Sequence, residues 1–291
     1  MNSKVLLPET LPELWKAIDN EPDARLFAGG TDLLVQVRSG SMPRCPFIGL
    51  ERVSGLSGIG EQKDTLIIGA CTCLTDILES PLVIRRVPIL ARSIQTMGSP
   101  LVRNAATIAG NICTASPAGD TLPPLYVLHA NLELRTSGSI RRMPIHEFIQ
   151  GPGQTALQSG EILTAIEIPK PFGFNIHHFE KLGQRRAQAI SIASIAAQLK
   201  VSSSGKIEKA RLAWGSVGPT VLTSEEVEES LIGFALDYPC LARAAVLVRN
   251  MVSPISDVRA SADYRRLVSG NLLLRLLDYR QRLSLPSEQS I

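Results

Sequence analysis

Two glycine-bearing segments have the residue types that could hold a charged ligand. The first is Ala28–Leu34 and the second is Thr107–Asp120, and each combines small residues with an aspartate. Glycine lets the backbone turn sharply and approach another group closely. Successive backbone N–H groups in such turns form a concavity that binds anions. Two such segments about eighty residues apart therefore suggest a two-sided cradle for a phosphate-bearing cofactor.

A structural role for both segments remains open on the residues alone. Gly29-Gly30 could be a plain turn between a strand and a helix, and Gly110-Asn111 could mark a hairpin. The second segment, however, carries several polar side chains among small residues in a region that is otherwise apolar. These side chains are Asn111, Thr114, Ser116 and Asp120. Their presence favours a ligand-binding role.

The context of a literal dinucleotide-binding pattern elsewhere argues against that function. Gly151-Pro152-Gly153-Gln154-Thr155-Ala156 fits G-x-G-x-x-A. That pattern requires a buried strand before it and free N–H groups that face the pyrophosphate. Pro152 has no N–H, and residues 146–148 predict a helix instead of a strand. The first glycine segment also lacks the lysine of a Walker loop, because Thr31 follows Gly30.

No constellation of catalytic or metal-binding residues stands out. His177-His178 is the one histidine pair, and its spacing gives it no partner. Cys71-Thr72-Cys73 is too tightly spaced for a zinc or iron–sulfur pattern. Lys181 ends an alternating segment on the face of Phe179, from which it could reach into a cleft, although a solvated strand end is commoner. We therefore expect neither a catalytic side chain nor a metal ligand.

The composition indicates a globular protein with no nucleic-acid partner and no membrane span. The 291 residues are enough for two or three domains, and the net charge is +3. No apolar stretch approaches the ~18 residues of a membrane span, and the first residues do not resemble a signal peptide. The five cysteines form no framework. They predict reduced thiols in a cytoplasmic protein.

Residues 1–55 predict a small α/β subdomain. Strands are expected at 5–7, 25–27 and 47–48. Of the two intervening helices, one begins at Thr10 with Glu13 completing a capping box, and the other begins at Thr31 or Asp32. The first glycine segment then lies between a strand and the N-terminus of a helix. The helix dipole favours negative charge at that point.

Residues 56–170 predict a second subdomain and residues 174–285 a C-terminal domain. The stretch Pro169-Lys170-Pro171-Phe172-Gly173 between them is the strongest linker signal in the chain. In the second subdomain we expect helices at 74–78 and 84–96, a hairpin of 132–134 with 140–143, and a strand at 161–168. In the C-terminal domain we expect strands at 192–201 and 207–214, followed by helices at 224–231, 238–252 and 260–283.

The two glycine segments resemble the flavin signature of the FAD-binding subunit of the xanthine dehydrogenase family of molybdenum hydroxylases. That family has Ala-Gly-Gly-x-Ser/Asp near the start, Thr-Ile-Gly-Gly-Asn about eighty residues later, and then Ala-Ser-Pro-x-x-Asp. The counterparts here are Ala28–Asp32, Thr107–Asn111 and Ala115–Asp120. The resemblance covers essentially the whole chain. It includes Glu161-Ile162-Leu163-Thr164 before the linker and Lys181-Leu182-Gly183-Gln184-Arg185 after it.

The resemblance implies which residues hold FAD. One side of the pyrophosphate would be lined by Arg25, Leu26, Phe27, Ala28, Gly29, Gly30, Thr31 and Asp32. The other side would be lined by Ala106, Thr107, Ile108, Ala109, Gly110 and Asn111. Thr114, Ser116 and Asp120 would bind phosphate, ribose or nearby polar groups, and Asp120 suits a ribose hydroxyl best. Leu163 and Lys181 match positions near the flavin end.

One residue departs from the family pattern. Ala109 stands where the family usually has glycine. Alanine would be strained at a positive φ, so we expect an ordinary β or bridge conformation at Ala109.

The fold that the resemblance implies is α+β. It combines a two-subdomain FAD-binding fold of the vanillyl-alcohol-oxidase/PCMH type with a C-terminal α+β domain of the carbon monoxide dehydrogenase flavoprotein type, in which helices pack on a three-stranded sheet. The implied function is electron transfer. Electrons would pass from a molybdopterin-binding large subunit, through the [2Fe-2S] clusters of a small subunit, to FAD in this chain and then to NAD or another acceptor.

Two other functions stay open at this point. A stand-alone FAD-dependent reductase of the same fold, similar to the enolpyruvyl-reducing enzymes of cell-wall synthesis, would need a polar proton donor at the flavin. No candidate for that donor is evident in the sequence. A flavin-binding scaffold without turnover is the second alternative.

Overall fold

The computed structural model describes residues 4–41, 45–170, 173–185 and 188–279, and the chain divides into two compact units. Unit 1 comprises Met1–Ser116 and Leu128–Lys170, and unit 2 comprises Pro117–Val127 and Pro171–Ile291. Residues 171–172 of the expected linker and residues 280–285 of the expected C-terminal domain lie outside the described residues. The domain limits 1–55, 56–170 and 174–285 stay predictions.

The first part of unit 1 is a parallel sheet with two short helices. Strands β1 (Val5–Leu6), β2 (Arg25–Phe27) and β3 (Phe47–Gly49) pair in the order β1-β3-β2. Helices α1 (Leu11–Asn20) and α2 (Leu33–Arg38) connect them in sequence. The Thr10 hydroxyl caps α1 by accepting from the Glu13 amide at 3.3 Å, as the sequence predicts. Leu14 of α1 and Ile48 of β3 are fully buried in the core between them.

The second part of unit 1 is an antiparallel sheet flanked by short helices. Its five strands pair in the order β4-β5-β10-β6-β7, and a small hairpin of β8 and β9 lies apart from them. The strands are β4 (Ile59–Gln62), β5 (Thr65–Gly69), β6 (Asn131–Arg135), β7 (Ile140–Pro144), β8 (Ile149–Gly151), β9 (Gln154–Thr155) and β10 (Ile162–Pro169). The helices are α3 (Leu74–Glu79), α4 (Pro81–Arg86), α5 (Pro88–Gln95), α6 (Pro100–Ala105), α7 (Ile108–Thr114) and α9 (Ile145–Phe148), while α8 (Leu122–Val127) belongs to unit 2.

The helix expected at 84–96 is divided into α4 and α5. Pro88 is the first residue of α5, and Val87 before it has φ −139° and ψ 57°, which is not helical. A residue that precedes proline is pushed out of the α region, because the proline ring clashes with its backbone. The single helix expected here was therefore wrong, and the signal for the break was Pro88 itself.

Unit 2 contains a three-stranded antiparallel sheet with helices. The strands are β11 (Ile176–Leu182), β12 (Ala193–Val201) and β13 (Ile207–Gly215), in that order. Besides α8, the helices are α10 (Glu225–Glu229), α11 (Tyr238–Met251) and α12 (Ala262–Leu274). Trp214 is fully buried in their common core, and its indole N–H donates to the Ser269 carbonyl at 3.2 Å. The α+β fold class with a three-stranded C-terminal sheet is confirmed.

Among the helices of the described chain, none has the length and apolarity that crossing a membrane would require.

Candidate functional site

The first glycine segment leaves a parallel strand and enters a helix. Strand β2 ends at Phe27, Gly30 has φ +65°, and α2 starts at Leu33. A left-handed φ of this kind favours glycine, because a side chain there would be strained. The predicted strand–turn–helix arrangement around Ala28–Asp32 is therefore present, and glycine is required for its turn.

The amides of Gly29, Gly30, Thr31 and Asp32 are available to a ligand. Within the described ranges, none of these four N–H groups donates to a protein acceptor. Thr31 and Asp32 are also exposed to solvent. Successive amides that lack protein acceptors, followed by a helix, form a concavity with positive partial charge. This geometry suits a phosphate or pyrophosphate.

Gly29 of the first segment touches the backbone just before the second segment, at the end of α6. A Cβ built on Gly29 would lie 1.6 Å from the carbonyl oxygen of Ala105 and 3.0 Å from the amide nitrogen of Ala106. No side chain fits in that space, so the close approach requires glycine. The first segment and the start of the second, about eighty residues apart in sequence, thus lie close together in unit 1.

The second segment begins with a capped helix, whereas the sequence suggested a turn. Thr107 is the N-cap of α7, and its Oγ1 accepts from the Gly110 amide at 3.2 Å. Ile108 and Ala109 donate their amides to the carbonyls of Thr72 and Ala70, both at 3.2 Å. These three N–H groups therefore have protein acceptors. The two segments are not equivalent cradles, because the unpaired amides lie in the first one.

Ala109 is helical, so the β or bridge conformation expected for it was wrong. It lies in α7, and its φ is not among the positive values in the described chain. The expectation that alanine avoids a positive φ there holds. Hydrogen bonding at the start of α7 accounts for the helical conformation, because the Ala109 amide bonds to Ala70 while Thr107 caps the helix.

Asp32 connects the first segment to the second. It occupies the N-cap position of α2, but its side chain makes no capping hydrogen bond. Its Oδ2 instead lies 2.9 Å from Nε2 of Gln36 and 3.2 Å from Oγ1 of Thr114. The helix therefore begins where the sequence predicts, but the Asp32 side chain does not cap it. The carboxylate links two parts of the candidate site.

The remaining unit 1 residues of the predicted site follow these segments or lie on the large sheet. Ala115 ends α7 in the left-handed conformation, with φ 47°, and Ser116 follows it. Leu163 is buried on β10, opposite Leu134 of β6. Just before it, Glu161 accepts from Arg141 at 2.6 and 2.8 Å, and this guanidinium lowers the pKa of the Glu161 carboxyl.

Asp120 and Lys181 form a buried ion pair in unit 2. Lys181 Nζ lies 2.5 Å from Asp120 Oδ2 and 3.2 Å from the carbonyl of Ala189, and both paired side chains are 8% exposed. Burial raises the pKa of the Asp120 carboxyl, while the ammonium of Lys181 opposes that rise. Asp120 Oδ1 is buried and has no hydrogen-bond partner in the described chain. The structure thus brings together two residues that are 61 positions apart.

Sequence reasoning missed Ser216 and Arg265, which lie at the same end of the unit 2 sheet. The Ser216 amide donates to the Pro117 carbonyl at 2.9 Å. Arg265 Nη1 donates to the carbonyls of Ile192 and Ser216 at 2.6 and 3.2 Å. A serine after a strand and an arginine in a helix give no sequence signal, because their roles depend on long-range contacts.

Metal ligation has no support in the part of the chain that the structure describes. No group of three or more His, Cys, Asp or Glu side chains there could hold a metal ion. Burial raises the pKa values of the Cys71 and Cys113 thiols to about 12, so both are neutral at physiological pH.

Two protein families match most of the chain. Residues 1–171 match the family described as FAD binding domain in molybdopterin dehydrogenase. Residues 178–279 match the family described as CO dehydrogenase flavoprotein C-terminal domain. The chain is 30% identical to the xanthine dehydrogenase FAD-binding subunit of Escherichia coli O157:H7 over 88% of both chains. It is 31% identical to the carbon monoxide dehydrogenase medium chain of Afipia carboxidovorans, again over 88% of both.

Solved structures show the same similarity along nearly the full length. Quinoline 2-oxidoreductase from Pseudomonas putida 86 superposes with a TM-score of 0.92 at 26% identity, covering 98% of this chain and 99% of that one. Carbon monoxide dehydrogenase from Hydrogenophaga pseudoflava superposes with a TM-score of 0.90 at 28% identity, covering 97% and 98%.

The chain belongs to the family of FAD-binding medium subunits of molybdenum hydroxylases. Its cofactor is FAD, and it is a subunit of an oxidoreductase. The predicted family, fold class and cofactor are confirmed.

Proposed function

We propose that this chain is the flavin subunit of a xanthine dehydrogenase-like enzyme. In this proposal it assembles with a [2Fe-2S] small subunit and a molybdopterin-binding large subunit in the cytoplasm, and it passes electrons from the clusters through FAD to NAD or another acceptor. The observation that carries the proposal is the row of unpaired amides at Gly29–Asp32, held against the backbone of Ala105.

The site residues carry out different tasks in this proposal. The amides of Gly29, Gly30 and Thr31 bind the pyrophosphate, together with the rest of 25–32. Residues 106–111 line the other side of the pyrophosphate. Thr114, Ser116 and Asp120 bind phosphate, ribose or nearby polar groups, and Leu163 and Lys181 lie near the flavin end. Because Ile108, Ala109 and Gly110 already donate to the protein, α7 supports the first segment instead of offering three more amides.

FAD supplies the electron-transfer chemistry, so the protein contributes binding, orientation and electrostatics. No side chain of this chain is proposed to react with the hydroxylated substrate. The large subunit would hold that substrate, and the small subunit would hold the iron–sulfur clusters. All five cysteines here are unpaired thiols, which supports a reducing compartment.

The names of the relatives do not select the substrate. Identity is 30% to the xanthine dehydrogenase subunit and 31% to both the carbon monoxide and the glyceraldehyde dehydrogenase medium chains. The xanthine-like activity rests on the pattern of the two glycine segments and needs a direct assay. Xanthine, carbon monoxide, glyceraldehyde and nicotinate form the panel of substrates to compare.

Isolation of the natural complex tests the proposal. We expect tagged chain from its native cells to carry about one FAD and to copurify with an iron–sulfur protein and a molybdopterin protein. Apo chain should prefer FAD to FMN, because FMN has no pyrophosphate for the unpaired amides. A lone yellow monomer that reduces its own substrate would overturn the assembly, and preferential FMN binding would overturn the assigned site. Reduction of NAD by the substrate-reduced complex then tests the acceptor.

A further inference from the structure

The chain that leads from β5 into α3, residues 70–74, provides acceptors for the start of α7. The amides of Ile108 and Ala109 donate to the carbonyls of Thr72 and Ala70, both at 3.2 Å. The first N–H groups of a helix have no acceptor within that helix. The 70–74 segment therefore satisfies two donors that α7 cannot satisfy by itself.

A hydrogen bond in the opposite direction completes this contact. Leu74 is the first residue of α3, and its N–H donates to the Ala106 carbonyl at 2.9 Å. The amide nitrogen of Ala106 is also one of the atoms that a Cβ built on Gly29 would meet, at 3.0 Å. The 70–74 segment thus holds the junction of α6 and α7, which is the backbone that the first glycine segment approaches.

The Thr72 hydroxyl attaches the 70–74 segment to Gly58. Thr72 is 2% exposed. Its Oγ1 accepts from the Gly58 amide at 3.0 Å and donates to the Gly58 carbonyl at 3.1 Å. The carbonyl of the same threonine accepts from the Ile108 amide. One buried residue therefore joins the chain before β4 to the start of α7.

Loss of this hydroxyl would loosen the 70–74 segment without detaching it. Valine has the shape of threonine but cannot make either hydrogen bond to Gly58. The amides of Ala70 and Cys71 would still donate to the carbonyls of Thr164 and Leu56, at 3.0 and 2.7 Å. We therefore expect a partial displacement of the segment, which would move the acceptors of α7 with it.

We propose that Thr72 is a positioning residue for FAD. Its hydroxyl holds the 70–74 segment, and that segment holds the junction of α6 and α7 beside Gly29 and the unpaired amides that follow it. Thr72 acts in this way through the backbone, without touching the cofactor itself. The inference rests on the FAD site proposed above and adds a residue that lies outside both glycine segments.

Two substitutions at Thr72 separate the hydroxyl from the volume of the side chain. Thr72→Val removes the hydroxyl and keeps the branched shape, whereas Thr72→Ser keeps the hydroxyl. Ser93→Ala is the matched control, because Ser93 is fully buried in unit 1 and its hydroxyl donates to the Leu90 carbonyl of the same helix, at 2.8 Å. Titration of the full apo chain with FAD, at a temperature where circular dichroism shows each variant to be folded, gives the dissociation constants.

We expect Thr72→Val to bind FAD about three- to tenfold more weakly, the range of one hydrogen bond. Thr72→Ser should restore wild-type affinity, and Ser93→Ala should not change it. Wild-type affinity in Thr72→Val would overturn the inference. Equal weakening in Thr72→Ser or in Ser93→Ala would also overturn it, because the hydroxyl of Thr72 would then have no specific role. Failure of the wild-type chain to bind FAD would instead overturn the FAD site itself.

Hydrogen exchange of the wild-type chain tests the same coupling without a variant. Saturating FAD should slow amide exchange in peptides that span residues 70–74, because a bound cofactor stabilises the junction that this segment holds. Peptides from α11 in unit 2 serve as the control and should exchange at the same rate with and without FAD. Mass spectrometry measures both rates. Unchanged exchange in 70–74 would overturn the inference even if Thr72→Val failed to fold.

Discussion

Gly29 lies so close to Ala105 that a Cβ at residue 29 would fall 1.6 Å from the Ala105 carbonyl oxygen. The glycine is therefore needed for the close approach of the first segment to the backbone just before the second, in addition to any space it leaves for a ligand. Gly110 differs, because it is exposed on α7 and a Cβ there would meet only the Thr107 hydroxyl, at 2.9 Å. The two glycines of the family signature thus serve different purposes here.

Gly29→Ala should displace the first segment from the end of α6 and lose FAD. The added methyl group meets backbone atoms, which cannot move aside as a flexible side chain would, so we expect a stability loss of about 3 kcal/mol or more. FAD affinity should fall at least tenfold in a fluorescence titration. Gly138→Ala is the control, because a Cβ at Gly138 meets nothing within 4 Å and its φ is not positive. Retention of FAD by Gly29→Ala would show that the close contact is not required.

Asp32→Ala should weaken FAD binding by loosening the link between the segments. The Asp32 carboxylate lies within hydrogen-bond distance of both Gln36 and Thr114, and only Thr114 belongs to the second segment. We expect about a threefold loss of affinity for Asp32→Ala and for Thr114→Val, with less than additive loss in the double variant. Gln36→Ala removes the partner within α2 and should leave affinity unchanged. Additive effects of the two substitutions would exclude the link.

Local patterns predicted much of the fold. Thr10 and Glu13 marked the start of α1, and the alternation in 132–134 and 140–143 marked the hairpin of β6 and β7. These features depend on residues a few positions apart, which a sequence displays directly. The division of helix 84–96 at Pro88 was missed, because the apolar pattern continued across the proline.

The candidate site was only partly predictable, because part of it depends on contacts between residues far apart in the sequence. The segments were recognisable from Gly29, Gly30 and Gly110, but the close approach of Gly29 to the backbone before the second segment depends on the tertiary placement of Ala105. The helical state of Ala109 depends on the carbonyl of Ala70, which lies 39 residues earlier. No local pattern reports hydrogen bonds that span such distances.

The Asp120–Lys181 pair should show strong coupling in a double-mutant cycle. Both side chains are 8% exposed, so removing one partner leaves a buried charge without compensation. We expect Asp120→Ala or Lys181→Met alone to lower the free energy of unfolding by about 3–5 kcal/mol, and the double variant to lose clearly less than the sum.

The two units could unfold separately, so the readout has to report on unit 2 alone. The chain has two tryptophans, Trp15 and Trp214, and Trp214 is buried in unit 2. Trp214 fluorescence in a Trp15→Phe background therefore follows the unit that contains the ion pair. Additive losses in that measurement would show that Asp120 and Lys181 do not stabilise each other.

Acid should remove a stabilising contribution of Asp257 from unit 2. The Arg259 backbone N–H and the Arg265 guanidinium donate to its carboxylate, both at 2.8 Å, and such contacts lower the pKa of Asp257 to about 2. Because the folded pKa lies below the unfolded value, this contribution is complete above about pH 4 and is lost as the pH falls toward 2.

The free energy of unfolding of Asp257→Asn should therefore be lower than that of the wild type at pH 7, and the difference between the two should narrow below pH 4. Asp263→Asn is the control, since its side chain is 94% exposed and, among the residues that the structure describes, pairs only with Arg266, at 2.8 Å. Urea titrations followed by Trp214 fluorescence between pH 2 and 7 measure both gaps, and a constant gap for Asp257→Asn would contradict the assigned linkage.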